Sequence, residues 1–453
     1  MSRVAVLGSG ISGMAAAYFL SRTHEVVLFE KDTRLGGHTH THEIATPAGP
    51  LFIDTGFLVH NDRTYPNFVR LLADLGVRRQ LSDMSFGVSD PHTGFEYSSR
   101  DLRGFFAQRR NIFAPRHYRF FLEILRFNRQ ARALLADPGG AQLSLAEYLD
   151  RHRFSRDFTL YYLYPMASAV WSTSLDRISE FPALTLIRFF DNHDFLRVTA
   201  QFPWYTLCGG SRSYIAPLTA PYRDRIRLGV TITGVMRTTR GVRIESAAHE
   251  PEYFDDVAFA CHAPQALALL RDASGLERDV LSKFQTNRNT AVLHTDSNLL
   301  PRNPDARASW NYHLGEDPAA VTLTYHLNRL QNLRAPEDYC VTLNRTDAVR
   351  PEKILRHLIY DHPLFTQDAI RAQSRWAEIS GRNRAHFCGA YWFYGFHEDG
   401  LNSALRVAHS LAARPDERER DALLDLRGDV AASPVHAGAP RFHVPAVHGV
   451  PGR

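Results

Sequence analysis

Lysine is nearly absent from this chain of 453 residues: of 53 lysine and arginine side chains, only Lys31, Lys283 and Lys353 are lysines. The net charge of +5 is thus almost wholly arginine, a bias that a GC-rich genome produces by itself. With no recognised binding fold beside it, that charge does not point to nucleic acid. Cysteine is also sparse. Cys208, Cys261, Cys340 and Cys388 lie far apart and form no CxxC pair. Neither a metal site nor a disulfide framework is supported, and a reduced, cytoplasmic setting is expected. No apolar run approaches the length needed to span a bilayer, so the chain is expected to be soluble or to rest on a membrane surface. With a strand beginning at residue 3, no signal peptide is expected.

What is present begins at once. Arg3-Val4-Ala5-Val6-Leu7 is a short apolar strand, Gly8-Ser9-Gly10-Ile11-Ser12-Gly13 a glycine turn, and Met14 to Ser21 has helix composition. Glu25-Val26-Val27-Leu28-Phe29 then closes on Glu30. In such a βαβ unit the first glycine makes the turn, the second admits a pyrophosphate and the third lets helix pack on strand. The helix N-terminus offers its N–H groups to the phosphates, and Glu30 stands where a carboxylate accepts from both ribose hydroxyls. The same acid would repel a 2′-phosphate, which argues against NADP.

Downstream, Lys31-Asp32-Thr33-Arg34-Leu35-Gly36-Gly37-His38-Thr39 and Asp54-Thr55-Gly56-Phe57 add a second glycine loop and a strand end turning into a cleft. Together these stretches resemble the flavin-containing amine oxidoreductase superfamily, which includes amine oxidases, protoporphyrinogen oxidases and phytoene desaturases. The resemblance implies FAD, held by GxGxxG, the acid, a basic-x-Gly-Gly-Arg loop and Asp-x-Gly. His38 stands where the superfamily usually has arginine, and would donate a hydrogen bond without a permanent charge. The implied fold is α/β, a Rossmann-type FAD-binding domain interleaved with a substrate domain of mixed sheet plus helices. Its pieces fall at 1–85, 206–265 and 385–413 for FAD, 86–205 and 266–384 for substrate, with 414–453 a flexible tail rich in Pro, Gly, Ala and His.

The resemblance also places the backbone of Val230 at the adenine, within Arg227 to Ile232, which alternates as a strand. Near the end, Phe387-Cys388-Gly389-Ala390 matches the superfamily's C-terminal FAD signature, with Ala390 in place of its glutamate. Glu398 or Asp399 is left to bind the ribityl chain, and the amides of Gly400 and Leu401 to face the flavin O2 edge.

Between these blocks, Arg100 to Arg132 interleaves nine arginines with phenylalanine and tyrosine against only Asp101 and Glu123. Two readings stand: helices packing an aromatic stripe inward, or a basic aromatic face lying on an anionic membrane surface, peripheral to the inner membrane. Residues 144–205 are rich in large apolar and aromatic side chains, suited to a core or to a slot for a long hydrocarbon. Residues 284–343 read as an antiparallel sheet carrying Asn287, Asn289, His294, Asn311, Tyr312 and His326, each either a site residue or a satisfied buried polar group.

Gly-Gly-His-Thr-His-Thr, Trp-Ser-Thr-Ser, Cys-Gly-Gly-Ser-Arg-Ser-Tyr, Thr-Tyr-His-Leu-Asn-Arg-Leu-Gln and Tyr-Gly-Phe-His-Glu-Asp-Gly narrow the resemblance. They resemble a bacterial branch of predicted NAD/FAD-binding proteins whose characterised relatives are fatty acyl double-bond isomerases or desaturases. That implies a flavoprotein oxidoreductase or isomerase of lipid metabolism, acting on a long unsaturated lipid by hydride exchange at flavin N5. No second GxGxxG is visible, so a separate NAD(P)H module is not expected. Tyr312, His326 and Tyr394 are the candidates to donate or accept a proton there. An amine oxidase and a non-catalytic flavin-bearing lipid binder are the alternatives; the first is weakened because neither Lys283 nor Lys353 lies in the expected cavity floor.

Overall fold

The computed structural model describes residues 1–136, 143–171, 173–198, 202–315 and 322–412. The tail expected at 414–453, Ser172 of the Trp-Ser-Thr-Ser motif and Val321 therefore lie outside the described residues.

The first element is a five-stranded parallel sheet in the order Ile226–Arg227, Glu25–Phe29, Arg3–Leu7, Asp256–Phe259, Ala385–Phe387. Its central strands read as unbroken apolar runs because both faces are covered, as parallel sheets require. The helix Ile11–Leu20 is buried on all sides, which explains why it carries alanines rather than a polar stripe. On its outer side runs the last described helix, His397–Ala412. The crossing is possible because residue 400 is glycine: a Cβ there would stand 2.6 Å from Ile11 Cγ2 and 3.0 Å from Ser12 Oγ. Two helix N-termini, far apart in sequence, therefore meet beyond the C-terminal end of the sheet's central strand.

The expected strand from Arg227 to Ile232 divides in two. Gly229 takes φ +69°, and the chain turns from Ile226–Arg227 into Ile232–Thr238, the first strand of a separate antiparallel sheet with Gly241–Ser246 and Glu252–Phe254. Only glycine turns that corner without cost.

A seven-stranded sheet forms the second layer, in the order Ile354–Leu364, Gln285–His294, Cys340–Leu343, Leu323–His326, Trp310–His313, Phe86–Asp90, Phe95–Ser98. The last two strands are a hairpin that joins through a parallel pair, Trp310 opposite Phe86 to His313 opposite Ser89. The strand Ile354–Leu364 has a mixed, charged sequence that did not read as a strand. It lies at the sheet edge and pairs with Gln285–His294 alone, where Pro363 removes no ladder bond from a central strand.

Register decides which side chains share a face, since neighbours across strands point the same way. Tyr312 is opposite Leu323, Leu323 opposite Leu343 and Leu343 opposite Ala291, and the same face carries Tyr360 and His362. His326 is opposite Cys340, and Cys340 opposite His294, one position out of phase. His294, Asn311 and His326 thus point away from Tyr312, Asn287 and Asn289. Helices from Leu102 to Asn192 pack against this sheet, the longest being Pro115–Ala136. Among the described residues no helix is long and apolar enough to cross a membrane.

Candidate functional site

The three glycines of the first turn have different physical reasons. Gly8 takes φ +107°, and a Cβ there would stand 2.8 Å from the Ala260 carbonyl oxygen. At Gly13 a Cβ would stand 1.8 Å from the Gly8 carbonyl oxygen. Both are required by the protein itself. Gly10 is not: its φ of −64° and ψ of 178° suit any residue, and a Cβ there would meet no atom within 4 Å. The first intrahelical bond is Met14 N–H to the Gly10 carbonyl at 3.0 Å, which leaves the amides of Ile11, Ser12 and Gly13 as the unpaired first turn. A glycine demanded by neither backbone nor packing, beside three outward amides, fits the close approach of a pyrophosphate.

Three further segments converge on this turn. Glu30 ends its strand with Oε2 accepting from Ser9 N–H (2.8 Å) and Ser9 Oγ (2.7 Å), and Oε1 accepting from Asp32 N–H (3.0 Å). Val230 is brought beside it, its N–H donating to the Glu30 carbonyl at 2.9 Å. The second glycine loop docks through Gly36 N–H to the Ser9 carbonyl (3.0 Å), and a Cβ on Gly37 would stand 3.2 Å from Gly10 Cα. Arg34 holds this loop rather than facing outward, donating to the Gly37 carbonyl at 2.9 Å. Lys31 is exposed.

The loop ends at His38, whose ring lies 5.1 Å from Tyr360, 5.4 Å from His362 and 6.4 Å from His262. Its buried Nε2 has no hydrogen-bond partner among the described residues. Burial and the adjacent histidines hold His38 well below the ordinary imidazole range, and burial pushes His362 down to about 4. These rings are neutral donors and acceptors. An orphaned nitrogen at the position where an arginine was expected again fits a polar ligand group. His262, Tyr360 and His362 were not anticipated: two lie on the unforeseen edge strand, and the third follows the strand Asp256–Phe259.

The Asp-x-Gly segment is fixed by Asp54, a buried hub. Its carboxylate accepts from Ser211 N–H (2.8 Å), Ser211 Oγ (2.8 Å), Thr41 Oγ1 and Gln331 Nε2 (2.9 Å), with burial raising it to about 6. Gly56 follows, where a Cβ would stand 2.1 Å from the His38 carbonyl oxygen. Phe57 stacks on His397 at 3.8 Å and 11°. Tyr214 OH bonds His397 Nε2 at 2.8 Å and also Thr39 Oγ1, so Thr39, Tyr214 and His397 form one buried cluster covered by the half-buried Phe57.

At the C-terminal signature the structure corrects two expectations. The carboxylate of Glu398 accepts from Asn67 N–H (3.0 Å) and Phe68 N–H (2.8 Å). It caps the helix Pro66–Asp74, whose own N-cap, Tyr65, has no oxygen in place. Asp399 reaches back to Phe396 N–H (2.9 Å), the N3-to-N-cap half of a capping box, whose other half a phenylalanine cannot supply. Burial raises Glu398 to about 8 and Asp399 to about 7. Both carboxylates are engaged in capping rather than turned to a ribityl chain. Gly400 N–H is likewise taken, by the Phe396 carbonyl at 3.0 Å, and Leu401 is buried a step further along the helix. The unpaired amides are those of 397–399. Gly389 N–H donates to Ser403 Oγ at 2.8 Å, tying the strand end to this helix.

The proton-transfer candidates separate. Tyr394 adjoins the first turn of His397–Ala412, and its carbonyl accepts from Trp171 Nε1 at 3.4 Å. Tyr312 is buried, its OH 3.3 Å from Ser168 Oγ, with burial raising it to about 12. His326 is on the opposite face, its Nε2 held by Asp338 at 3.0 Å, so it does not join the other two. A wall of rings runs from Phe396 through Phe189 (4.9 Å) to Trp171 (4.6 Å) and His193 (3.9 Å). Lys283 and Lys353 are paired elsewhere, with Asp279 at 3.6 Å and Glu337 at 3.9 Å.

The profile of the flavin containing amine oxidoreductases matches residues 11–300. The fold is similar to that of a CLA-producing fatty acid isomerase from P. acnes, with TM-score 0.65 and 16% identity over 90% of this chain and 98% of that one. It is also similar to cyclohexylamine oxidase from Brevibacterium oxydans, with TM-score 0.64 and 14% identity over 90% and 99%. A putrescine oxidase bound to putrescine gives TM-score 0.63 and 12% identity over 91% and 99%.

Proposed function

Given that this chain belongs to the flavin-containing amine oxidoreductases and is an oxidoreductase with a flavin cofactor, typically FAD, we propose that it acts on a long unsaturated acyl chain. The reaction would be double-bond isomerisation or desaturation of a fatty acid or phospholipid. When bound, the flavin supplies a hydride acceptor and donor. A hydride taken from an allylic carbon and returned at the far end of the allyl system moves the double bond with no net oxidation. Desaturation instead loses a hydride and a proton, and needs O2 or a quinone to take up the electrons.

The observation that carries this reading is the wall of Trp171, Phe189, Phe396 and Tyr394 beside the first turn of His397–Ala412. Where rings of this kind line a substrate slot they exclude water and hold hydrocarbon by dispersion and burial. Its neighbours are neutral: burial holds His397 down at about 3 and raises Tyr394 above the ordinary phenol range. Tyr394 would keep its proton and orient the substrate; the main-chain carbonyl of Tyr394, fixed by Trp171, holds the loop in place.

Solved structures of the same fold include proteins of both fatty acids and amines, so the fold does not choose between them. The amine oxidase alternative would gain from a lysine at the reacting centre, and Lys283 and Lys353 are held in ion pairs with Asp279 and Glu337. Incubating the holoprotein with linoleate or unsaturated phospholipid without oxygen, then mapping double bonds by mass spectrometry, tests the proposal. Shifted double bonds support isomerisation, and a new double bond only with an acceptor supports desaturation. Peroxide from amines with every lipid unchanged would refute the acyl reading, and no turnover at all would leave a flavin-bearing lipid binder.

A further inference from the structure

The helix Pro115–Ala136 has two faces of opposite use. His117, Phe120, Ile124, Phe127 and Ala131 are buried at three- and four-residue spacing. On the other side Tyr118, Leu122 and Leu125 repeat the same spacing in solvent, with Leu122 62% exposed. The preceding turn, Arg109–Phe113, adds Ile112 and Phe113 to this outer stripe, and Phe113 is 86% exposed. Tyr118 OH donates to the Ile112 carbonyl at 2.9 Å, fixing turn to helix as one surface. Contiguous exposed apolar groups of this size mark an interaction surface.

The charges around the stripe say what it meets. Arg109, Arg119 and Arg129 are exposed and form no ion pair among the described residues. The two acids of the segment are used internally: Asp101 caps Gly104 N–H and pairs with Arg100, while Glu123 is buried and accepts from Ser155 N–H at 3.1 Å. No carboxylate of this segment is left to balance the arginines. A second copy of the chain packed here would bring guanidinium against guanidinium, and a neutral apolar partner would desolvate them. We infer that this face is a docking surface for an anionic lipid bilayer, with Phe113 and Leu122 entering the acyl boundary and the three arginines meeting headgroup phosphates. The helix Ala183–Asn192, which carries Phe189 of the aromatic wall, packs directly beneath it, and Arg132 donates to the Leu196 carbonyl, in the turn that follows that helix, at 2.7 Å. The surface thus lies one helix away from the wall. The inference does not rest on the acyl reading, since binding to vesicles requires no turnover.

Cosedimentation of the full-length holoprotein with phosphatidylglycerol/phosphatidylcholine vesicles, against phosphatidylcholine alone, is the test. Binding is expected only with the anionic lipid and should weaken as salt is raised. Changing Arg109, Arg119 and Arg129 together to Gln should lower the partition coefficient by about fivefold per arginine, on the order of a hundredfold in all. Phe113→Ser with Leu122→Ser should also reduce it while the visible spectrum and circular dichroism stay unchanged. No binding to anionic vesicles, equal binding to both lipids, or an unaffected arginine variant would overturn the inference. So would a dimer that the same substitutions dissolve while vesicle binding persists.

Discussion

Gly10 and Gly13 occupy the same turn and should respond oppositely to a side chain. At Gly10 the backbone is ordinary and no protein atom lies within 4 Å of a new Cβ. Gly10→Val should therefore cost the apoprotein only about 1 kcal/mol, from a poorer N-cap. The valine methyls would occupy the space assigned to the pyrophosphate. Losing two charge-assisted N–H contacts, at about 1.5–3 kcal/mol each, should weaken FAD binding on the order of a hundred- to ten-thousandfold. At Gly13 a Cβ would sit 1.8 Å from the Gly8 carbonyl oxygen, a backbone atom that cannot swing aside. Gly13→Ala should accordingly destabilise the apoprotein by about 3 kcal/mol or more. Thermal unfolding of both apoproteins, followed by titration with FAD and measurement of flavin fluorescence quenching, separates the two effects. A Gly10→Val protein that binds FAD as the wild type does would refute the placement of the phosphates; a Gly13→Ala protein of unchanged stability would refute the packing.

Glu398 stands above its ordinary value of 4.5, at about 8. The folded state therefore keeps a proton that the unfolded chain releases, and the stability this contributes is full below the ordinary value and lost as pH rises through about 8. Urea midpoints should fall from pH 5 to pH 9, and Glu398→Gln should flatten that slope while costing about 1 kcal/mol at pH 5 through the weakened cap. Tyr360→Phe removes the bond between Tyr360 OH and Thr55 Oγ1 (2.7 Å), which ties the edge strand to the Asp-x-Gly segment. It should lower stability by about 1 kcal/mol and loosen FAD, read as a faster release rate. Because His326 lies on the far face of the sheet, His326→Asn should leave kcat/KM within about twofold; a loss of a hundredfold or more, worth over 2.7 kcal/mol of transition-state stabilisation, would put it back at the reacting centre.

The dinucleotide turn was legible because its signal is local: strand, glycines, helix and acid fall within thirty residues. Contacts made across the chain were not. Glu398 reads as a polar residue near a flavin signature, yet its partner is the backbone of a helix 330 residues earlier, and sequence spacing cannot show that distant cap. The sheet that carries His326 is legible in the sequence but the face it occupies is not, since a period of two makes a strand's phase depend on which neighbour it pairs with. Ile354–Leu364 was missed because an edge strand with one ladder and half-exposed side chains has no need of the apolar alternation that reveals inner strands. Arg34 was expected near the dinucleotide and instead braces the carbonyls of its own loop, a use of arginine that composition does not distinguish from phosphate binding.

The visible spectrum of the purified protein, with mass analysis of what it releases on heating, tests the central claim most directly. Flavin absorption bands near one equivalent per chain, and a released molecule with the mass of FAD, are the expected result. A protein that is colourless as purified and stays colourless after incubation with FAD and removal of the excess would contradict it.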